Sequence, residues 1–421
     1  MRMVPSLNVP QRYGQIYRKH LLSKGALDLR YRIQKHSNGT VTLPLVPSSL
    51  PQLDLSSLQC SVAHGSRCEI VQIQAQPSKK GKSKYCSEKL VEAVQDQLSS
   101  HGVSWNEDLK SDLPQSWQRH GDLVVIGEDC FTLPAWKNIG TELWSTVAHG
   151  LGAKRLAQIK RISNDGFRTP LVIMLLGDSS HVTHLDNKIR YEFDITKCMF
   201  SFGNITEKLR IASFNCSGET VVDLYAGIGY FTLPYLVHAG AAHVYACEWN
   251  PDAVKALKRN LQLNRVSDRC TVHQGDNRQL PLEDLADRVN LGLIPSSEEG
   301  WPVACRLLRR DTGGVLHIHQ NVSSAVPSTD ARLQPALPAA DGHITTEGED
   351  KTQVSLNASL GSHRDREAWR TWAEDTATRF AELLRDLTGQ VWRTHIMHIE
   401  CVKSYAPHIH HIVLDLKCTP L

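Results

Sequence analysis

No Cys-x-x-Cys pair occurs in this 421-residue chain, although it holds eleven cysteines between Cys60 and Cys418. That absence excludes zinc-ribbon and thioredoxin signatures, and thiols so dispersed in a long chain point to a reducing compartment. Long apolar runs are missing too. The most apolar stretch, residues 171–176, falls far short of the roughly 20 residues that span a bilayer. Residues 1–10 lack the apolar core of a secretory signal. A soluble, cytoplasmic protein is therefore expected. Nor is there a dominant charge: 47 Lys and Arg face 44 Asp and Glu, and the net charge of +3 permits a polyanionic partner without demanding one. With 41% hydrophobic and 22% charged residues the chain has the composition of a folded protein. Its length predicts two or three domains, since each usually holds roughly 100 to 200 residues.

Residues 1–110 read as an N-terminal extension or accessory domain. The first 50 are polar and basic, with one helix expected around 13–23, and look peripheral. Residues 77–84 (PSKKGKSK) read as an exposed loop, either a solvated linker or a phosphate-contacting segment. A helix is predicted over 87–98, with Leu90, Val91, Val94 and Leu98 on one face. Residues 111–198 then suggest a small α/β domain, with strands at 123–126 and 169–176 and a helix at 137–151. Lys154, Arg155, Lys160, Arg161 and Arg168 crowd one stretch of it. Such density suits an RNA phosphate backbone, or equally an ordinary charged helix face.

The pattern sharpens in residues 199–421. Residues 191–195 form a short alternating strand, and from 217 onward strands and helices take turns. Residues 221–224 and 244–247 are valine-rich runs of the kind that buried parallel strands require. Residues 231–239 and 251–264 read as helices, and 271–274, 289–294 and 314–319 supply further strands. A mobile insertion is expected at about 323–364, followed by a helix at 366–387 and an antiparallel pair at 394–402 and 411–416. Regular alternation of this kind marks an α/β, doubly wound, Rossmann-like sheet.

The strand ends carry the chemistry. Residues 221–232 (VVDLYAGIGYFT) close a buried strand at Asp223, and Gly227 and Gly229 let the loop pass close to a ligand. A dinucleotide loop sets its first glycine nearer the strand and adds a third, where Thr232 stands here. An acidic group four residues ahead of the first glycine suits acceptance from an ammonium, as in S-adenosylmethionine. Glu248, about 20 residues beyond the glycines, is placed to bind ribose hydroxyls, with Trp249 beside the adenine. Gly275, Asp276 and Asn277 follow the third strand, where the adenine amino group is read. Three polar groups at three successive strand ends predict a class I S-adenosylmethionine fold.

Residues 199–210 (MFSFGNITEKLR), 223–232, 247–251 (CEWNP), 275–278 (GDNR) and 290–298 (NLGLIPSSE) together resemble the tRNA wybutosine-synthesizing protein 2 family. The resemblance runs from about residue 114 onward and matches poorly at 323–364. It implies transfer of the 3-amino-3-carboxypropyl group of S-adenosylmethionine to carbon 7 of 4-demethylwyosine in phenylalanine tRNA, with release of methylthioadenosine. It also implies cofactor contacts from Ser201, Lys208, Glu248, Asp276 and Asn277, with Asp223 beside them. Read without it, Ser201 and Lys208 are a helix cap and a surface charge. The related tRNA guanine N1-methyltransferases carry proline at the position of Gly292, a departure that favours the aminocarboxypropyl reaction over methyl transfer. No residue is assigned as proton acceptor; Asn290 suits positioning. His317, His319, His408, His410 and His411 superficially suggest a metal, but no cysteine or carboxylate spacing supports them, and none is expected. Competing readings are methyl transfer to a tRNA base, a tRNA-binding scaffold with a disused cofactor fold, and an NAD-dependent oxidoreductase.

Overall fold

The structure, a computed structural model, describes residues 3–62, 66–163, 166–324 and 363–421. Of the insertion expected at about 323–364, residues 325–362 lie outside the described residues. The chain divides into two compact units, one of residues 3–116 and 131–153, the other of residues 117–130, 154–324 and 363–421.

In the first unit, strands β1 (Met3–Pro10), β2 (Gln34–Lys35), β3 (Thr40–Pro44) and β4 (Glu69–Gln74) form an antiparallel sheet in the order β2-β3-β1-β4. Helix α1 (Gly14–Ser23) contributes Tyr17 and Leu21 to a core with Leu7, Val9, Val41 and Leu43. The segment that looked peripheral is thus the centre of a sheet. Two prolines within β1 hid it, because proline is unusual inside a central strand. Helix α2 (Lys79–Ser100) starts eight residues before the expected position and absorbs most of the stretch read as a loop. It packs on α3 (Glu142–Gly150), where a Cβ on Gly150 would lie 2.8 Å from the Leu90 Cα.

The second unit holds three sheets. Strands β5 (Trp117–His120), β6 (Leu123–Ile126), β7 (Arg155–Ile162) and β8 (Pro170–Leu176) pair in that order, and β9 (His181–Asp186) and β10 (Ile189–Asp194) form a hairpin. Of the elements expected in residues 111–198, the helix therefore groups with the first unit and the strands with the second. Of the basic stretch, Arg155, Lys160 and Arg161 lie on strand β7 rather than on a helix, with Lys154 before it and Arg168 after it.

After α4 (Ile205–Ala212) comes the large sheet: β11 (Thr220–Asp223), α5 (Thr232–Val237), β12 (His243–Glu248), α6 (Pro251–Leu263), β13 (Cys270–Gln274), β14 (Arg288–Leu291), α7 (Trp301–Leu307), β15 (Gly314–Ser323), α8 (His363–Thr388), β16 (Trp392–Ala406) and β17 (Ile409–Pro420). Its order is β13-β12-β11-β14-β15-β17-β16, parallel except for β17. Successive side chains of a strand point to opposite faces. Val221 accordingly joins a core with Leu233, Val244 and Leu257, while Val222 joins Leu291, Trp301, Phe380 and Leu414. Both faces are covered, which is why the strands read as continuous apolar runs. The strand order reverses at β11, so the carboxyl ends of β11, β12 and β14 flank the crevice where such sheets bind ligands.

Helix α6 is started by Asn250, whose side chain accepts from the amides of Asp252 (3.0 Å) and Ala253 (3.4 Å), with Pro251 in the first turn. Within it, fully buried Asn260 donates to the carbonyl of Ile228 (3.0 Å) and accepts from the amide of Glu192 (2.7 Å), tying the glycine loop to β10. Asn260→Ala would leave a buried carbonyl and amide unpaired, and a loss of about 1–2 kcal/mol is expected by denaturant titration. An unchanged midpoint would show that water replaces the amide.

Candidate cofactor site

A cavity of about 820 Å³ opens at this switch point. One wall is the glycine loop. Gly227 has a φ of 55°, the left-handed region open to glycine, and a Cβ there would lie 2.5 Å from the Tyr230 ring. The Tyr230 hydroxyl donates to the carbonyl of Met199, joining this loop to the segment before α4.

Glu248 at the end of β12 lines the cavity and shapes it. Its Oε2 accepts from the Gly227 amide (2.7 Å) and its Oε1 from the Asn250 amide (2.8 Å). Burial raises its pKa against the pull of those amides. Each oxygen keeps lone-pair capacity for a further donor. Asp276 and Asn277 line the same cavity. Arg278 holds the Asp276 carboxylate through Nη2 (2.7 Å) and Nε (2.9 Å), keeping its pKa low. Asn277 donates to the carbonyl of Leu224 (2.8 Å). Ser201 also faces the cavity and makes no capping hydrogen bond.

Four of the six residues singled out in the sequence thus converge on one cavity. Lys208 and Asp223 are not among its lining residues. Lys208 is buried rather than a surface charge: its Nζ lies 2.7 Å from Asp186 Oδ2 and 4.6 Å from the Phe200 ring centre, and burial lowers its pKa. Phe200 itself lines the cavity, so Lys208 supports the wall from behind. Asp223 is fully buried at the end of β11, where Oδ2 accepts from Thr232 Oγ1 (2.7 Å) and Oδ1 from Asn290 Nδ2 (2.9 Å). Both of its oxygens are therefore engaged within the protein; the carboxylate joins β11, β14 and the start of α5. Burial raises its pKa.

Three family signatures match the chain: TRM5/TYW2 methyltransferase domain over residues 182–335, and TYW2 N-terminal domain over residues 6–81 and again over 94–180. A Danio rerio protein called tRNA wybutosine-synthesizing protein 2 homolog is 63% identical over 421 residues, covering all of both chains. Its human counterpart of the same name is 50% identical over 416 residues, covering 97% of this chain and 93% of that one. This chain belongs to the tRNA wybutosine-synthesizing protein 2 family. Among solved structures, Pyrococcus horikoshii TYW2 in complex with MeSAdo is similar with a TM-score of 0.54 and 25% identity, covering 79% of this chain and 99% of that one. Trm5b from Pyrococcus abyssi shares the fold at a TM-score of 0.53 and 20% identity, covering 99% and 100%.

Around this wybutosine-family site the structure adds residues that the sequence reading passed over. Lys403, Ser404 and Tyr405 reach the cavity from β16, and Phe167 and Arg168 from the β7–β8 connection. Trp249 packs edge-on to Phe167, ring centres 5.9 Å apart. The basic stretch divides: Lys160 and Arg161 are exposed, Arg155 is bound to Asp122 (2.6 Å), and Arg168 faces the cavity. His317, His319, His410 and His411 are buried in the sheet, His317 on Asp415 (2.7 Å) and His319 on His411 (3.0 Å), while His408 is exposed in the β16–β17 turn. Among the described residues no group of three or more His, Cys, Asp or Glu is arranged to hold a metal, and no helix is long and apolar enough to cross a membrane.

Proposed function

We infer that this chain transfers the 3-amino-3-carboxypropyl group of S-adenosylmethionine to carbon 7 of 4-demethylwyosine in phenylalanine tRNA, in the cytoplasm, releasing methylthioadenosine. The observation that carries this reading is the 63% identity over the whole length of a wybutosine-synthesizing relative. The cavity supports it, because its residues suit the cofactor. Glu248 has acceptor capacity for two ribose hydroxyls, and Asp276 and Asn277 stand where the adenine edge would lie, with Ser201 at the other end. Lys208 and Asp223 serve as braces for this wall.

When bound, the cofactor supplies a sulfonium with three electrophilic carbons. The protein selects among them by geometry, since the reacting atoms must stand roughly 3 to 3.5 Å apart on an in-line path. Gly292 bears on this selection. A Cβ there would lie 3.0 Å from the Phe231 ring and 3.1 Å from Asn290 Nδ2, so any side chain at this position would press on both. Asn290 itself is oriented by Asp223, and its Oδ1 is buried without a hydrogen-bond partner. Exposed Lys160 and Arg161 on β7 suit contact with backbone phosphates of the tRNA.

Incubation with tRNA containing the tricyclic base and cofactor labelled in either the carboxyl or the methyl carbon tests the reaction. Carboxyl label is expected in the RNA, and methyl label in the released methylthioadenosine. Methyl label in the RNA would identify a methyltransferase instead.

A further inference from the structure

The charges lining the cavity are not balanced pair by pair. Each carboxylate on the wall has a partner: Glu248 the amides of Gly227 and Asn250, Asp276 and Glu299 the guanidinium of Arg278, and Glu298 that of Arg379 (2.9 Å). Two cations are not matched in this way. Lys403, largely buried, lies 4.4 Å from the Tyr405 ring centre and makes no hydrogen bond or ion pair with any described residue. Arg168 donates to the carbonyl of Ile294 (3.3 Å) and meets no carboxylate among the described residues.

Local structure directs both side chains inward. The register of β16 against β17 shifts between Cys401 and Lys403 and again between Ser404 and Ala406. Bulges of this kind re-aim side chains beside functional sites. A Cβ at Gly203 would lie 2.6 Å from the Lys403 Nζ, so the ammonium rests against the bare backbone of this glycine. Arg168 is held at a φ of 56°, a strained conformation that L side chains rarely adopt. Burial and the neighbouring charge of Arg168 together push the Lys403 ammonium down to about 8. Desolvated, mutually repelling cations are costly unless a ligand supplies the counter-charge.

Their place in the sheet indicates which ligand. Glu248 and Gly227 belong to the β11 and β12 side of the switch point. Strand β16 is the far edge, four strand spacings from β11, or about 19 Å at the usual separation. Lys403 thus comes from the sheet edge farthest from Glu248, whereas Arg168 comes from the β7–β8 connection, whose Phe167 packs on Trp249. A base that reacts must leave its stack and enter a pocket, and the phosphate attached to it follows to the rim.

We propose that Lys403 and Arg168 form an anion subsite for the phosphodiester attached to the target nucleotide of the RNA substrate. The assignment rests on the RNA-modifying reading above. Tyr405, which also lines the cavity, offers a ring face of the kind that unstacked bases use.

The test uses the full chain, tRNA containing the tricyclic base, and separate titrations with S-adenosylmethionine and with tRNA between 50 and 200 mM salt. Lys403→Gln and Arg168→Gln should each weaken tRNA binding roughly 3- to 10-fold and reduce the slope of log affinity against log salt by about 0.7–0.9. Cofactor affinity should stay within about twofold, and Lys403→Arg should restore both affinity and slope. Thermal midpoints identify any variant that fails to fold. If Lys403→Gln is folded and binds tRNA with wild-type affinity and slope, the subsite is refuted while the reaction stands. Loss of cofactor affinity with intact tRNA binding would reassign the cations to the cofactor carboxylate. A wild-type chain that binds no tRNA would overturn the underlying reading and the subsite together.

Discussion

Alanine at Glu248 is expected to weaken S-adenosylmethionine binding by about 1.5–3 kcal/mol, or roughly 10- to 150-fold, in a calorimetric titration. Two effects combine. The variant loses the charged acceptor proposed for the ribose hydroxyls, and it frees the amides of Gly227 and Asn250, which Glu248 holds at 2.7 and 2.8 Å. Glu248→Gln, which keeps one oxygen acceptor, should fall between alanine and wild type. Equal affinity in all three proteins would mean that the carboxylate only shapes the loop and that the ribose lies elsewhere.

Asp415→Ala is expected to destabilise the second unit by about 3–5 kcal/mol at neutral pH, the cost of breaking a buried ion pair from one side. Arg210 bridges Asp415 (2.5 Å) and fully buried Glu207 (2.7 Å), and His317 Nδ1 meets the other Asp415 oxygen at 2.7 Å. Burial alone would raise the Asp415 pKa, but His317 and Arg210 outweigh it and hold the carboxyl well below the usual range. A depressed folded-state pKa means that the stabilisation is complete above the unfolded value of about 3.9 and fades as pH falls beneath it. Thermal midpoints of wild type and variant should therefore differ most from pH 5 to 7 and converge only as pH falls far below the unfolded value, through the depressed folded-state pKa. Coincident midpoints at pH 7 would show that Glu207 alone neutralises Arg210.

The large sheet was legible because a strand buried on both faces has little choice but valine and leucine, and because the glycines and Asn250 mark where the chain turns. Glu248, Asp276, Asn277 and Ser201 were legible for a related reason: a ligand crevice at strand ends restricts residue type at fixed offsets. Lys208 and Asp223 carried the same kind of signal, yet they are not among the lining residues of the cavity. Short-range spacing shows which residues reach a strand end but not which partner gets there first, Asp186 for one and Asn290 with Thr232 for the other. Lys403 was invisible for a different reason. It lies 180 residues beyond Asp223 in the sequence and is aimed inward by a register shift, which leaves no periodic trace. The N-terminal sheet was obscured by the prolines of β1, whose pairing partners lie up to 71 residues away.

The position of β17 has a kinetic consequence. Strands β11 to β15 are linked by short connections and can assemble progressively, whereas β17 must pair with β15 across nearly a hundred residues, as at His317 and Asp415. Contacts so distant along the chain close slowly, because loop entropy is lost before any pairing offsets it. Until the β16–β17 hairpin docks, β15 presents an unpaired edge of ten residues, a template for association with another chain. The same docking event buries Asp415 against Arg210 and delivers Lys403 to the cavity. Docking of this hairpin is thus also the step that would bring the proposed phosphate-binding lysine into place.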